Sequence, residues 1–167
     1  MALIIENGTG VANSNSYSTR ANYIAYALAL GITIPYRVAA DVQLIDAALF
    51  IESFEGNLKG DRSTRDQSLA FPRDNVYLEG WYWTNSEIPR QVILAQMALA
   101  LDINAGVDLY NPQPEKVTKK EKIDGAVEVE YFGNDNAVKL SRSSRAMALL
   151  NSLLNRTAGI NLVAVRA

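Results

Sequence analysis

The sequence predicts a mainly α-helical fold: a small bundle of about four helices with a β-hairpin insertion and an extended C-terminal arm. Three observations predict it. Four segments carry apolar residues at helical spacing. One Asp-Gly pair, Asp124-Gly125, stands between two alternating, strand-like runs. A short apolar run rich in β-branched residues follows Gly159. At 167 residues the chain is expected to form a single domain, 1–167. Residues 1–110 form its helical core, including a long loop at 57–86. A hairpin follows at 115–133, the last helix at 141–156 and the arm at 159–167.

The chain opens with Leu3-Ile4-Ile5, then a polar, glycine-bearing stretch through Ser16, which reads as a strand-like start and a loop. The first helix is expected over residues 18–30, capped by Ser16 or Ser18 and stopped by Gly31. The second is expected over 40–54. Val38, Val42, Ile45 and Leu49 make one apolar row and Leu44, Ala48 and Ile51 another, so together they predict a wide buried stripe. Residues 57–86 lack helical periodicity and hold Gly60, Pro72, Gly80 and both Trp residues. A loop that long is functional or packed on itself.

The third helix has the strongest pattern. Ser86 is its expected cap, with Pro89 in the first turn. Ile88, Val92, Ala95, Leu99 and Ile103 line one side, and Gly106 ends it. Asn111 to Pro114 mark a linker. Val127, Val129 and Tyr131 alternate with Glu128 and Glu130, and lysines on the preceding strand suit a cross-strand charge ladder. In the last helix Ala146, Leu149, Leu150, Leu153 and Leu154 share a side.

The composition excludes more than it proposes. The chain has no Cys and no His, which removes the usual zinc and iron–sulfur ligands and the nucleophile–histidine pairs of hydrolases. No catalytic, cofactor or metal site is therefore expected. An enzyme working through carboxylates is a distant third reading. The start lacks the basic and apolar regions of a signal peptide. No stretch approaches the roughly 18 apolar residues that span a bilayer, so a cytosolic protein is expected, unless it leaves inside a larger particle. Net charge is −2, unevenly spread. Residues 1–114 carry 7 Lys/Arg against 12 Asp/Glu, and residues 115–167 carry 9 against 6.

Several clusters admit a site. Asp41, Asp46, Glu52 and Glu55 read as a solvated helix face rather than a metal or acid–base site. Asp61, Arg62, Arg65, Asp66 and Arg73 match no phosphate-binding loop motif and are expected to hold the long loop in shape through ion pairs. Tyr77, Trp81, Tyr82 and Trp83 form a stretch on which bases could stack. The favoured reading is that they close over the core or anchor a protein interface. Arg142, Arg145 and Arg156, with Arg166, are weak candidates for contact with DNA phosphates. A hairpin is marginal alone, and an apolar strand needs an edge. Val117, Lys119, Ile123, Val127, Val129 and Tyr131 are therefore candidates for a subunit interface. The run Ile160, Asn161, Leu162, Val163, Ala164, Val165 and Arg166 is a candidate docking arm.

The opening Leu3 to Tyr17, the stretch Arg65-Asp66-Gln67-Ser68-Leu69-Ala70-Phe71-Pro72-Arg73, and Glu87-Ile88-Pro89 before an Ala-rich helix resemble a family of tailed-bacteriophage head–tail adaptors (connectors). Members are often labelled DnaT-like single-stranded DNA-binding proteins. The resemblance covers most of residues 1–154; the family commonly has Trp where Phe71 stands. It implies a structural virion protein of the head–tail neck, assembled in the host cytoplasm. Its copies would form a homo-oligomeric, dodecameric ring beneath the portal protein. That ring would extend the channel through which packaged double-stranded DNA passes without sequence-specific binding, and give the next neck or tail-completion protein its platform. The alternative is a single-stranded DNA-binding replication accessory protein using Trp81, Trp83 and the C-terminal arginines. The acidic net charge favours the adaptor.

Overall fold

A computed structural model describes residues 2–34, 37–110 and 144–155. They form four packed helices and two small antiparallel ribbons: α1 (Arg20–Ala29), α2 (Arg37–Glu52), β1 (Asp61–Arg62), β2 (Arg73–Asp74), β3 (Tyr77–Leu78), β4 (Trp81–Tyr82), α3 (Arg90–Asn104) and α4 (Ser144–Leu150). The mainly α expectation is met. The predicted hairpin at 115–133 and arm at 159–167 lie outside the described residues.

The central element is α3, which packs against α2, α4 and α1. Its predicted row is largely buried at Val92, Ala95 and Leu99, and so are Met97, Ala98, Ala100 and Leu101 on its other sides. The small alanines let neighbouring backbones approach closely, and each buried Val or Leu stabilises by about 1.5–3 kcal/mol. Gln96 is buried in the same helix with its amide satisfied. Its Nε2 donates to Ser16 Oγ and to the Leu44 carbonyl, both at 2.8 Å, and its Oε1 accepts from the Tyr17 N–H at 3.0 Å. One side chain thus ties the opening segment and α2 to α3.

Helix ends differ from expectation in instructive ways. Thr19 caps α1, accepting from the Asn22 N–H. Ser16 and Ser18 are buried and bonded to each other instead, because the preceding segment needs Ser16 for Gln96. The N-cap of α3 is Pro89, not Ser86. Of the two rows predicted on α2, that of Leu44, Ala48 and Ile51 is buried, together with Ala40, Ala47 and Phe50. Val42 and Leu49 are 52% and 54% exposed, since α3 covers one side of α2 and not the other.

α4 is shorter than predicted. Beyond Leu150 the chain turns, Leu154 bridges antiparallel to Leu58, and the Asn155 N–H donates to the Asn57 carbonyl at 2.7 Å. Ala146, Leu150 and Leu153 keep their buried positions. Among the described residues no helix is long and apolar enough to cross a membrane.

Candidate nucleic-acid interface

The residues of the opening and of the Leu-Ala-Phe-Pro-Arg stretch meet inside the molecule. The Glu6 carboxylate is buried and accepts from the N–H groups of Gly8, Gly10 and Val11 at 2.8–3.0 Å, and from Ser14 Oγ at 3.1 Å. The glycine-rich loop is therefore filled by its own carboxylate. Tyr17 Oη donates to Glu52 Oε1 at 2.6 Å and accepts from the Phe71 N–H at 3.2 Å, while Glu52 Oε2 accepts from the Ala70 N–H at 2.6 Å. Burial raises the pKa of Glu52; the Tyr17 hydroxyl and the Ala70 amide work in the opposite direction. Burial and the Glu52 charge raise Tyr17. The expected solvated acidic face is thus corrected at Glu52, and at Asp41, which is buried and paired with Arg20. Asp41 and Glu55 are lowered instead, by hydrogen bonds from Arg20 and Arg62 respectively.

Ion pairs hold the charge-rich loop, as expected, but their carboxylate partner is Glu55, which precedes the loop. Arg62 pairs with Glu55. Arg73 is buried, donates to the carbonyls of Lys59 and Gly60, and lies 4.0 Å from Glu55. Gln67 Nε2 reaches the carbonyls of Leu69, Ala70 and Pro72. These groups spend their polar atoms on the fold. Arg65 and Asp66 stand exposed outside this arrangement.

The aromatic stretch behaves differently. Tyr77 pairs with Tyr82 and Leu78 with Trp81 across a two-residue turn, Glu79-Gly80. Both turn residues have positive φ, +52° and +91°, the left-handed pair that matches strand twist in a tight hairpin. Cross-strand partners share a face, so Tyr77 and Tyr82 stand together, rings edge to face at 5.2 Å. Leu78 is buried and holds the ribbon down. Tyr77, Trp81 and Tyr82 remain 52%, 77% and 77% exposed. Trp83 separates from them. It is half-buried against the core, its N–H donates to the Val76 carbonyl at 2.8 Å, and its Nε1 donates to the Glu87 carbonyl at 3.3 Å.

Beside the ribbon lies a cleft of about 460 Å³. Leu78 and Glu79 form one side, Ala148, Asn151 and Ser152 the other, with Lys59 and Leu154 between. The Lys59 N–H donates to the Leu153 carbonyl at 2.8 Å, which stitches the two sides together. Arg145 is exposed on α4 and precedes Ala148 by three residues, so it shares the helix face that borders the cleft.

A family model described as "Putative DnaT-like ssDNA binding protein" matches residues 1–167. The chain belongs to this DnaT-like family. No curated protein and no solved structure matches it. The family is described by single-stranded DNA binding and is not an enzyme family.

This match overturns the adaptor reading, and with it the dodecameric ring, the portal and neck or tail partners, the packaged duplex in a lumen and the virion neck location. The physical reason is visible in the structure. The residues that carried the resemblance are those that close the opening loop on Glu6 and seat Phe71 on Tyr17, so they build the fold and name no assembly partner. The acidic net charge also misled. It is a sum over the surface, whereas base stacking and phosphate contacts are local.

In this DnaT-like chain Arg142 and Arg156 lie outside the described residues, as do the proposed interface residues Val117 to Tyr131 and the arm Ile160 to Arg166. Lys59 and the cleft were not anticipated. The available signal was the Glu79-Gly80 turn between pairs of strand-forming residues, obscured because Glu is a rare first residue in such turns.

Proposed function

We propose that this DnaT-like protein binds single-stranded DNA by stacking bases on Tyr77, Trp81 and Tyr82, as a replication accessory without catalytic chemistry. The observation that carries this reading is three exposed rings on one tight ribbon, a costly display of apolar surface unless something covers it. A duplex hides its base faces, whereas an unpaired strand offers one to each ring. Residues 77–82 contain no Lys or Arg, so affinity there comes from ring contact. Arg145 on α4 is assigned to phosphate contacts, helped by the basic surplus of residues 115–167, which includes Arg142 and Arg156. Trp83 is assigned to anchoring the ribbon. The family match over the whole chain supports treating 1–167 as one domain, and a role on replication intermediates favours a cytoplasmic protein.

Fluorescence anisotropy with a labelled single-stranded oligonucleotide tests the proposal. The double substitution Trp81→Ala and Tyr82→Ala is expected to weaken binding by about 2–4 kcal/mol, since each stacked base is worth about 1–3 kcal/mol. Unchanged affinity in the double variant, or no wild-type binding at low salt, overturns it.

A further inference from the structure

We propose that the cleft between the ribbon and the end of α4 takes one nucleotide of the bound strand and selects a base with an exocyclic amine over thymine, the one DNA base without one. This rests on the single-stranded DNA reading and adds sequence preference to it.

The cleft is an open groove of about 460 Å³, room for one nucleotide lying along the surface. Its walls are mixed in the way a nucleotide requires. Ala148 and Leu154 offer apolar surface to the faces of a base, with the buried Leu78 beneath them. Lys59 offers a cation to its phosphate. Glu79, Asn151 and Ser152 place polar groups along the same opening. Leu78 is the cross-strand partner of Trp81, so a strand stacked on Trp81 passes the cleft mouth.

Selectivity follows from Glu79. An ionised carboxylate only accepts hydrogen bonds, and it pairs well with an amine such as the N4 group of cytosine. Thymine presents a carbonyl at that position, which sets two acceptors against each other. Asn151 and Ser152 can donate or accept and therefore discriminate little. The turn fixes the Glu79 backbone at the rim of the cleft, because its φ of +52° and that of Gly80 define the hairpin.

The test compares oligo-dC and oligo-dT of equal length at neutral pH, two pyrimidines of similar stacking area, using the full chain. Wild type is expected to bind oligo-dC at least about fivefold more tightly. Glu79→Asn keeps a residue that tolerates positive φ and removes the carboxylate; it should bring the ratio to about one without weakening oligo-dT. Lys59→Gln should weaken both oligonucleotides by the same factor and reduce the salt slope by about 0.7. Equal wild-type affinity for the two, or a preference that survives Glu79→Asn, overturns the cleft proposal and leaves stacking on the ribbon standing. Wild type binding neither oligonucleotide overturns both.

Discussion

The opening loop and the β3–β4 ribbon are both short, glycine-bearing and non-helical, yet they dispose of their functional groups in opposite ways. In the opening loop every polar group singled out above points inward. Glu6 gathers three amides and a hydroxyl, and Tyr17 spends its hydroxyl on Glu52 and Phe71. In the ribbon Leu78 alone is buried, and three rings face outward. The first arrangement is costly to disturb, because a buried donor or acceptor deprived of its partner loses its solvation as well as its bond. The second is cheap to disturb, because exposed rings contribute little to folding. The difference separates residues that make the fold from residues available to a ligand.

Three substitutions test that contrast, from the largest effect to the smallest. Gly8 has φ +99°, and a Cβ placed there would lie 2.3 Å from the Ser86 carbonyl oxygen. Gly8→Ala is expected to destabilise by about 3–5 kcal/mol from backbone strain and overpacking, and to lower Tm by about 10 °C or more in circular dichroism melts. A wild-type melting curve would show that the loop does not seat against residue 86. Tyr17→Phe removes one hydroxyl and strands the Phe71 amide; a loss of about 1–3 kcal/mol is expected in urea denaturation. Tyr82→Phe makes the same chemical change on the ribbon. It is expected to shift stability by less than about 0.5 kcal/mol and, since the ring remains, to keep DNA affinity. Equal costs for the two tyrosines would erase the distinction.

The contrast also explains why the chain's most distinctive stretches pointed to the wrong role. Gly8, Gly10 and Tyr17 are distinctive because the close approach of Gly8 to Ser86, the loop's closure on Glu6 and the Tyr17–Glu52 contact constrain them. Such residues identify a family securely and say little about its partner. The informative stretch was Tyr77 to Trp83, where the sequence permitted both a buried and an exposed reading. The structure draws Trp83 against the core and leaves Tyr77, Trp81 and Tyr82 exposed.

By itself the sequence determined the helices, their order and the buried row of α3, because a period of 3.6 is written in consecutive residues. It also determined that the charge-rich loop is held by its own arginines. Only the tertiary structure decided which row of α2 is buried, since that depends on where α3 lies. It alone divided Trp81 from Trp83, and brought Lys59 and Glu79 to a cleft with Asn151, because cross-strand register and the Leu58–Leu154 bridge join residues far apart in the chain. Whether a ring or a charge is spent on the fold or left for a ligand is a property of its neighbours in space, which a local pattern does not record.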